Sequence, residues 1–314
     1  MKTCFIFNPF SGRNRRRPGL AAAIRDFIAA QSLDATFTAT DGPGHASALA
    51  RAAVLAGNEV VVAVGGDGTM NEVAQGLIDS PAALALIPCG SGNGLARHLG
   101  LPLSIRGTLE LATGRGARQA AVDTGEANGW PFFNVMGLGL DADVSRRFNF
   151  MDRRGLPAYA RVAFSALRNM RSERCRITSG DRTVTLETLL VAVANSDQYG
   201  NNARIAPGAR VDDGRLDLVA IKAVGLAGAL TLAPRLFLGN LDQSPHVVRL
   251  RGRRFVIERP APGPIHTDGE PHPAGATVEV AVKPRSLRVL IPARSRAVTI
   301  AAGESPTRFA LQIL

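Results

Sequence analysis

The segment Val60-Val61-Val62-Ala63-Val64-Gly65-Gly66-Asp67-Gly68-Thr69-Met70-Asn71-Glu72 constrains this chain more than any other. Its valines and alanine form a short apolar run of the kind that fills strands buried on both faces. That run meets three glycines set around one carboxylate, and an amphipathic pattern of Met70, Val73, Ala74, Leu77 and Ile78 begins at once. Strand, tight turn and helix start, in that order, make an anion site. The first-turn N–H groups have no intrahelical partner and the helix dipole is positive there. Glycine lets the backbone close on phosphate without an intervening Cβ. Asp67 is the odd member, because a carboxylate beside phosphate repels it unless a divalent cation sits between them. On the residues alone this is a nucleotide–metal site.

A second loop of the same kind follows a second strand at 84–87. Pro88-Cys89-Gly90-Ser91-Gly92-Asn93 precedes a helical stretch from Leu95, and its small hydroxyl and amide can donate to phosphate beside backbone N–H groups. Upstream, Thr3–Phe7 and Ala35–Ala39 read as strands. Pro18 opens a helix with the apolar face Leu20, Ile24, Phe27 and Ile28, and residues 45–56 form another that Gly57 ends. Such βα alternation predicts a parallel sheet with ligands at the carboxyl ends of its strands. Beyond about residue 119, short strands recur at 120–123, 132–135, 174–178, 183–194, 216–221, 247–250, Arg254–Glu258, 277–282 and 287–291. That spacing predicts a β-sandwich or barrel, interrupted by helices at 157–170 and Leu226–Leu238. The predicted organisation is an α/β domain over 1–118, a predominantly β-sandwich domain over 119–292, and a tail over 293–314 whose last residues, 308–314, could return to the first domain as a strand.

The formal charge is +11, and lysine occurs only at Lys2, Lys222 and Lys283. No lysine follows a glycine-rich loop, which excludes the Walker pattern, and a Schiff-base lysine is equally unsupported. Aromatics are 5% and never interleave with basic residues, so nucleic acid is not expected as a partner. The basic balance fits a phosphorylated substrate or an anionic membrane surface. Cys4, Cys89 and Cys175 lie too far apart for a disulfide framework or a zinc pattern, and a reducing, cytoplasmic setting is expected. The most apolar stretch, 219–238, is broken by Lys222, Pro234 and Arg235, too short to span a bilayer. Peripheral membrane contact is the most that is expected.

Asn8-Pro9 with Ser11-Gly12, then GGDGTMNEV, then PCGSGN, then Thr267-Asp268-Gly269-Glu270-Pro271 resembles the diacylglycerol kinase catalytic family. That family includes bacterial lipid kinases and sphingosine kinases and is related to NAD kinases. The resemblance runs over nearly the whole chain. It implies an NAD-kinase-like α/β domain followed by a β-sandwich, and transfer of the γ-phosphate of ATP, with Mg2+, to a lipid hydroxyl in a cleft between the domains. By the same resemblance Asn8, Thr40, Gly66, Asp67, Gly68, Thr69, Asn71, Glu72 and Ser91 contact nucleotide, and Gly65, Gly90, Gly92 and Asn93 complete the two phosphate loops. Glu270 falls on the general base, with Asp67 and Asp268 beside it. Asp213, with the backbone carbonyls of Leu216 and Leu218, falls on a structural magnesium site. Gly94 stands where bacterial diacylglycerol kinases usually carry aspartate, which makes GSGNGLAR look closer to the sphingosine-kinase-like branch.

Read without the family, Asp268-Gly269 is most simply a hairpin turn. Even so, Asp67, Asp268 and Glu270 are the best-placed carboxylates for a proton acceptor, since glycine-rich turns leave side chains exposed. His266 and His272 lack metal-ligand spacing and read as surface or cleft residues. Gly137-Leu138-Gly139-Leu140-Asp141-Ala142 mimics a dinucleotide fingerprint without an enclosing βαβ unit, and reads as a turn lining the cleft near the acceptor. The arginines from Arg146 to Arg176 read as a solvated face, or as a basic helix on an anionic membrane. Arg13, Arg15, Arg16 and Arg17 reach phosphate or form an exposed loop. Two rival functions stay open: NAD-kinase-like phosphorylation of a soluble acceptor, and a silent lipid- or nucleotide-binding regulator. A second copy of the chain, as a homodimer, is kept as a partner.

Overall fold

The computed structural model describes residues 1–140, 172–295 and 297–299. It divides into two compact units, one of Met1–Val122 with the chain from Arg285 on, the other of Asp123–Pro284.

The first unit carries β1 (Thr3–Phe7), α1 (Gly12–Arg16), α2 (Leu20–Ala30), β2 (Ala35–Ala39), α3 (His45–Leu55), β3 (Val60–Gly65), α4 (Asp67–Leu77), β4 (Ala83–Pro88), α5 (Gly94–His98) and α6 (Ile105–Ala112). Its sheet is parallel in the order β4-β3-β1-β2, with residues 288–289 of the returning chain pairing parallel on the outer side of β4. Every residue of β1, β3 and β4 is buried, as expected of strands covered on both faces. α4 buries Met70, Val73, Ala74 and Leu77 and packs beside the alanine-rich face of α3. The chain leaves β1 toward β2 on one side and returns to β3 on the other. This makes a topological switch point outside the carboxyl ends of β1 and β3, where open α/β sheets bind ligands.

The second unit is antiparallel. The chain enters it within β5 (Ala117–Ala127) and continues through β6 (Trp130–Phe132), β7 (Val135–Gly139), β8 (Glu173–Ser179), β9 (Arg182–Ala194), β10 (Leu216–Lys222), α7 (Leu226–Leu238), β11 (Val247–Gly252), β12 (Arg254–Glu258), β13 (Gly263–Thr267) and β14 (Glu270–Ala274), leaving it within β15 (Thr277–Pro292). The first half of β9 pairs with β8, and its second half lies between β7 and β10. Alternate residues Cys175 and Ile177, Val191 and Val193, Leu216 and Leu218, Phe255 and Ile257, Val278 and Val280 fill one core. The opposite face of β7, β9 and β10 buries Val135, Ala192, Ala194 and Val219 against Ile205, Ala206, Leu232 and Leu241.

Three expectations change. Residues 137–139, read as a turn, are the end of β7, paired with β9 and β13. Residues 277–282 and 287–291, read as two strands, belong to the single β15. β13 and β14 went unread as strands because Pro264, Pro271 and Pro273 interrupt them; β14 is an edge strand, where proline is tolerated. The expected helix at 157–170 and the returning strand at 308–314 lie outside the described residues.

Candidate functional site

In the first unit, the loops after β1, β3 and β4 are bonded into one assembly. After β1, the Asn8 backbone N–H donates to Val64 O at 3.0 Å and the Asn8 Nδ2 donates to Thr69 Oγ1 at 2.8 Å. Asn14, which sequence reasoning missed among its arginine neighbours, donates from Nδ2 to Asn8 O and to Val64 O at 2.8 and 3.2 Å. It therefore fixes the β1 and β3 loops at the switch point. No pattern in the sequence marks it; the only signal was its place beside Asn8 and Ser11. Arg15, Arg16 and Arg17 around it are exposed.

Gly66 caps α4 with extended backbone, and Asp67 is the first helical residue. The Asp67 carboxylate accepts the Asn93 N–H at 2.9 Å on Oδ2 and the Gly94 N–H at 2.8 Å on Oδ1. It is half-buried and holds the second glycine loop down onto the first. The glycines are needed for that closeness: a Cβ on Gly90 would come within 2.8 Å of the Gly66 Cα, and a Cβ on Gly92 within 2.8 Å of the Asp67 Oδ2. Asn93 adopts a left-handed backbone at φ 52° and is 2% exposed. Its side chain closes the loop reciprocally, accepting from Gly90 N and donating to Gly90 O, each at 3.0 Å. The Asn93 amide is thus occupied within the loop rather than turned toward a ligand, while Ser91 is exposed.

Thr40 is buried just after β2, its N–H donating to Phe7 O. Thr69 and Asn71 are buried in the first turns of α4. Glu72 is engaged at α3, where its Oε2 accepts the Ala46 N–H at 3.1 Å in that helix's first turn. The assembly leaves the first-turn N–H groups of α4, including those of Gly68 and Thr69, oriented by the helix for an anion, with no lysine involved.

In the second unit, Asp268 and Gly269 form the β13–β14 turn with φ 50° and 89°, the mirror-type hairpin turn that favours such residues. Thr267 and Glu270 flank it as a register pair, and Glu270 is exposed. Asp268 corrects the expectation of an exposed carboxylate. Its oxygens accept the N–H groups of Phe133, Asn134 and Val135 at 2.7, 2.8 and 2.9 Å. Burial pushes the carboxyl up to about 6, against the opposing pull of those three N–H donors and His266. The group ties the turn that carries Glu270 to the start of β7. His266 and His272 are buried rather than superficial. His272 stacks on Trp130 with ring centroids 4.1 Å apart, and its Nε2 lies 2.7 Å from Thr267 Oγ1.

Asp213 sits at the start of the turn into β10 and is engaged by arginine. Its Oδ1 accepts the Arg215 N–H and its Oδ2 pairs with Arg251. Leu216 and Leu218 are buried in β10, paired with Gly252 and Leu250 of β11. Among the described residues no group of three or more His, Cys, Asp or Glu could hold a metal ion. Arg174 and Arg176 lie on β8 with side chains outward, Arg176 pairing with Glu258 at 3.5 Å, which is a solvated strand face rather than a helix. The rest of the 146–171 arginine run, like Asp141 and Ala142, lies outside the described residues.

A parallel α/β unit with lysine-free glycine loops bonded across its switch point, joined to an antiparallel β unit, defines a class of phosphate-binding protein. Comparison with known proteins narrows it. Residues 2–127 match the diacylglycerol kinase catalytic domain, and residues 134–291 match the YegS C-terminal NAD kinase β-sandwich-like domain. A Bacillus subtilis protein named diacylglycerol kinase is 29% identical over 84% of this chain and 88% of its own length. A Pseudomonas aeruginosa protein named "Probable lipid kinase YegS-like" is 33% identical over 80% of this chain and 83% of its own. Two solved Bacillus anthracis structures, one described as a "putative diacylglycerol kinase" and one as a diacylglycerol kinase, share the fold, with TM-scores of 0.76 and 0.67 at 24% and 20% identity, each covering 92% of this chain and 96% of its own. The chain belongs to the diacylglycerol kinase catalytic family in its YegS-like form, a family of lipid kinases.

Proposed function

We propose that this enzyme transfers the γ-phosphate of MgATP to a hydroxyl of a membrane lipid of the diacylglycerol or sphingosine type. The observation that carries the reading is the bonded loop assembly of Asn8, Asn14, Gly66–Thr69 and Gly90–Asn93 at the switch point. It supplies backbone N–H groups and a helix N-terminus to a polyphosphate, which is the positioning that phosphoryl transfer needs. Magnesium enters in this reading as the nucleotide's own counterion, neutralising the phosphate charge. Asp67 acts by holding the second loop in register.

Glu270 is the proton acceptor in this reading, being exposed on the first residue of β14. As the lipid oxygen bonds to the γ-phosphorus, the bond from that phosphorus to its bridging oxygen breaks, ADP departs, and the hydroxyl proton passes to Glu270. Asp268 is a positioning residue that keeps this turn fixed through Phe133, Asn134 and Val135. ATP consumption measured with and without added lipid tests the reading. Turnover strictly dependent on lipid is expected; turnover supported by NAD in place of lipid contradicts it.

A further inference from the structure

The sequence of α7, Leu-Ala-Gly-Ala-Leu-Thr-Leu-Ala-Pro-Arg-Leu-Phe-Leu, contains no acidic residue and one basic one. A helix on a water-facing surface normally places charged side chains on its outer face. Leu232 and Leu236 pack inward against Ile205, Ala206 and Val219. On the other side Ala233 and Pro234 are exposed, and the helix ends in Phe237 at 45% and Leu238 at 73% exposure. Adjacent large apolar side chains this open are uncommon on a solvated surface, whereas a lone exposed leucine, such as Leu55, is ordinary.

The rim of this apolar tip is cationic. Arg235 lies in the last turn of α7. The Arg204 backbone N–H donates to Leu236 O at 2.8 Å, and its side chain runs beside Gly239, where an added Cβ would lie 3.3 Å from Arg204 Nη1. Arg204 also faces Asp197 at 3.6 Å, so the pair softens but does not reverse the positive rim. Gly239 closes the helix in the left-handed conformation and leaves the tip at its end. No helix among the described residues is long and apolar enough to cross a membrane, so any bilayer contact through such an element is interfacial.

We propose that the Phe237-Leu238 tip of α7, with Arg235 and Arg204 at its rim, is the surface by which the second unit docks on an anionic lipid bilayer. Apolar side chains enter the headgroup–acyl boundary while guanidinium groups meet lipid phosphates, the arrangement of interfacial helices. The choice of a bilayer as partner rests on the lipid-kinase reading, since such an enzyme must meet its acceptor in a membrane.

The test is co-sedimentation of the full chain with phosphatidylglycerol-containing vesicles, without ATP, beside kinase assays on lipid presented in detergent micelles. The Phe237→Ser/Leu238→Ser variant is expected to lose about tenfold or more in vesicle affinity, from the apolar area withdrawn. Its micellar activity and melting temperature are expected to stay as in the parent, and Leu55→Ser is expected to bind as the parent does. Binding of the double variant equal to the parent overturns the proposal, as does a parent chain that ignores the vesicles. A variant that turns dimers into monomers without changing vesicle affinity assigns the tip to a second copy and also overturns it. Because binding is read without turnover, a failed kinase reading and a failed docking surface give different results.

Discussion

Asp67 gives the sharpest prediction, because both of its oxygens hold backbone N–H groups of one loop, Asn93 at 2.9 Å and Gly94 at 2.8 Å. In Asp67→Asn one oxygen still accepts, but the amide nitrogen faces the other N–H donor to donor. Hydrogen bonds to a charged group contribute about 1.5–3 kcal/mol each, and partial exposure lowers that, so the loop loses about 2–3 kcal/mol of restraint. If the loop must close to hold nucleotide, the competent fraction falls and the KM for ATP rises by about 30- to 150-fold, with kcat changed by less than about threefold. Gly92→Ala tests the same contact from the other side, since its Cβ would stand 2.8 Å from Oδ2. Its expected rise in KM is about five- to tenfold, with the double variant no worse than Asp67→Asn alone, as for two changes to one interaction. Steady-state kinetics over a range of ATP concentrations reads both. A large fall in kcat for Asp67→Asn at unchanged KM, with Gly92→Ala silent, would refute the loop-holding role and place Asp67 in the chemistry.

Glu270→Gln is expected to lower kcat by about 100-fold or more with little change in the KM for ATP, measured with saturating lipid. Asp268 shifts from its ordinary 3.8 up to about 6 through burial, so the folded chain holds that proton more tightly than the unfolded one. Its contribution to stability is therefore greatest below about 4 and is lost as pH rises through about 6. Thermal melts of parent and Asp268→Asn across that window should differ in slope, the parent losing more stability as pH rises; identical slopes contradict the assignment. Glu72→Gln weakens the bond to the Ala46 N–H and is expected to cost about 1 kcal/mol by denaturant unfolding.

Much of the first unit was legible because its signals are local. Short β-prone runs bounded by Asn8-Pro9, by the Gly65 loop or by the Pro88–Gly90 turn located β1, β3 and β4, β2 was read from its β-prone residues alone, and the helix over Leu226–Leu238 was read with its observed bounds. The two glycine loops were recognised as partners from their shared place after strands. What bonds them was not legible, because Asp67 reaches Asn93 across twenty-six positions through side-chain geometry alone. Asp268 misled for the same reason. Beside glycine in a turn it suggests exposure, but its acceptor oxygens fold back on N–H groups more than a hundred residues earlier. The pairing of Asp213 with Arg251, thirty-eight positions on, was likewise not legible from the sequence. Asn14 carried no pattern at all; only the approach of β1 and β3 shows why an amide is needed there.

The central claim is transfer from ATP to a lipid alcohol by these loops and Glu270. It is tested most directly by incubating the full chain with γ-labelled ATP and a total lipid extract, then following label into the solvent-extractable fraction and identifying the product by mass spectrometry. The account predicts a phosphorylated lipid formed by the parent chain and nearly absent with Glu270→Gln. Label that stays in water-soluble products, or a lipid product formed equally by Glu270→Gln, contradicts it.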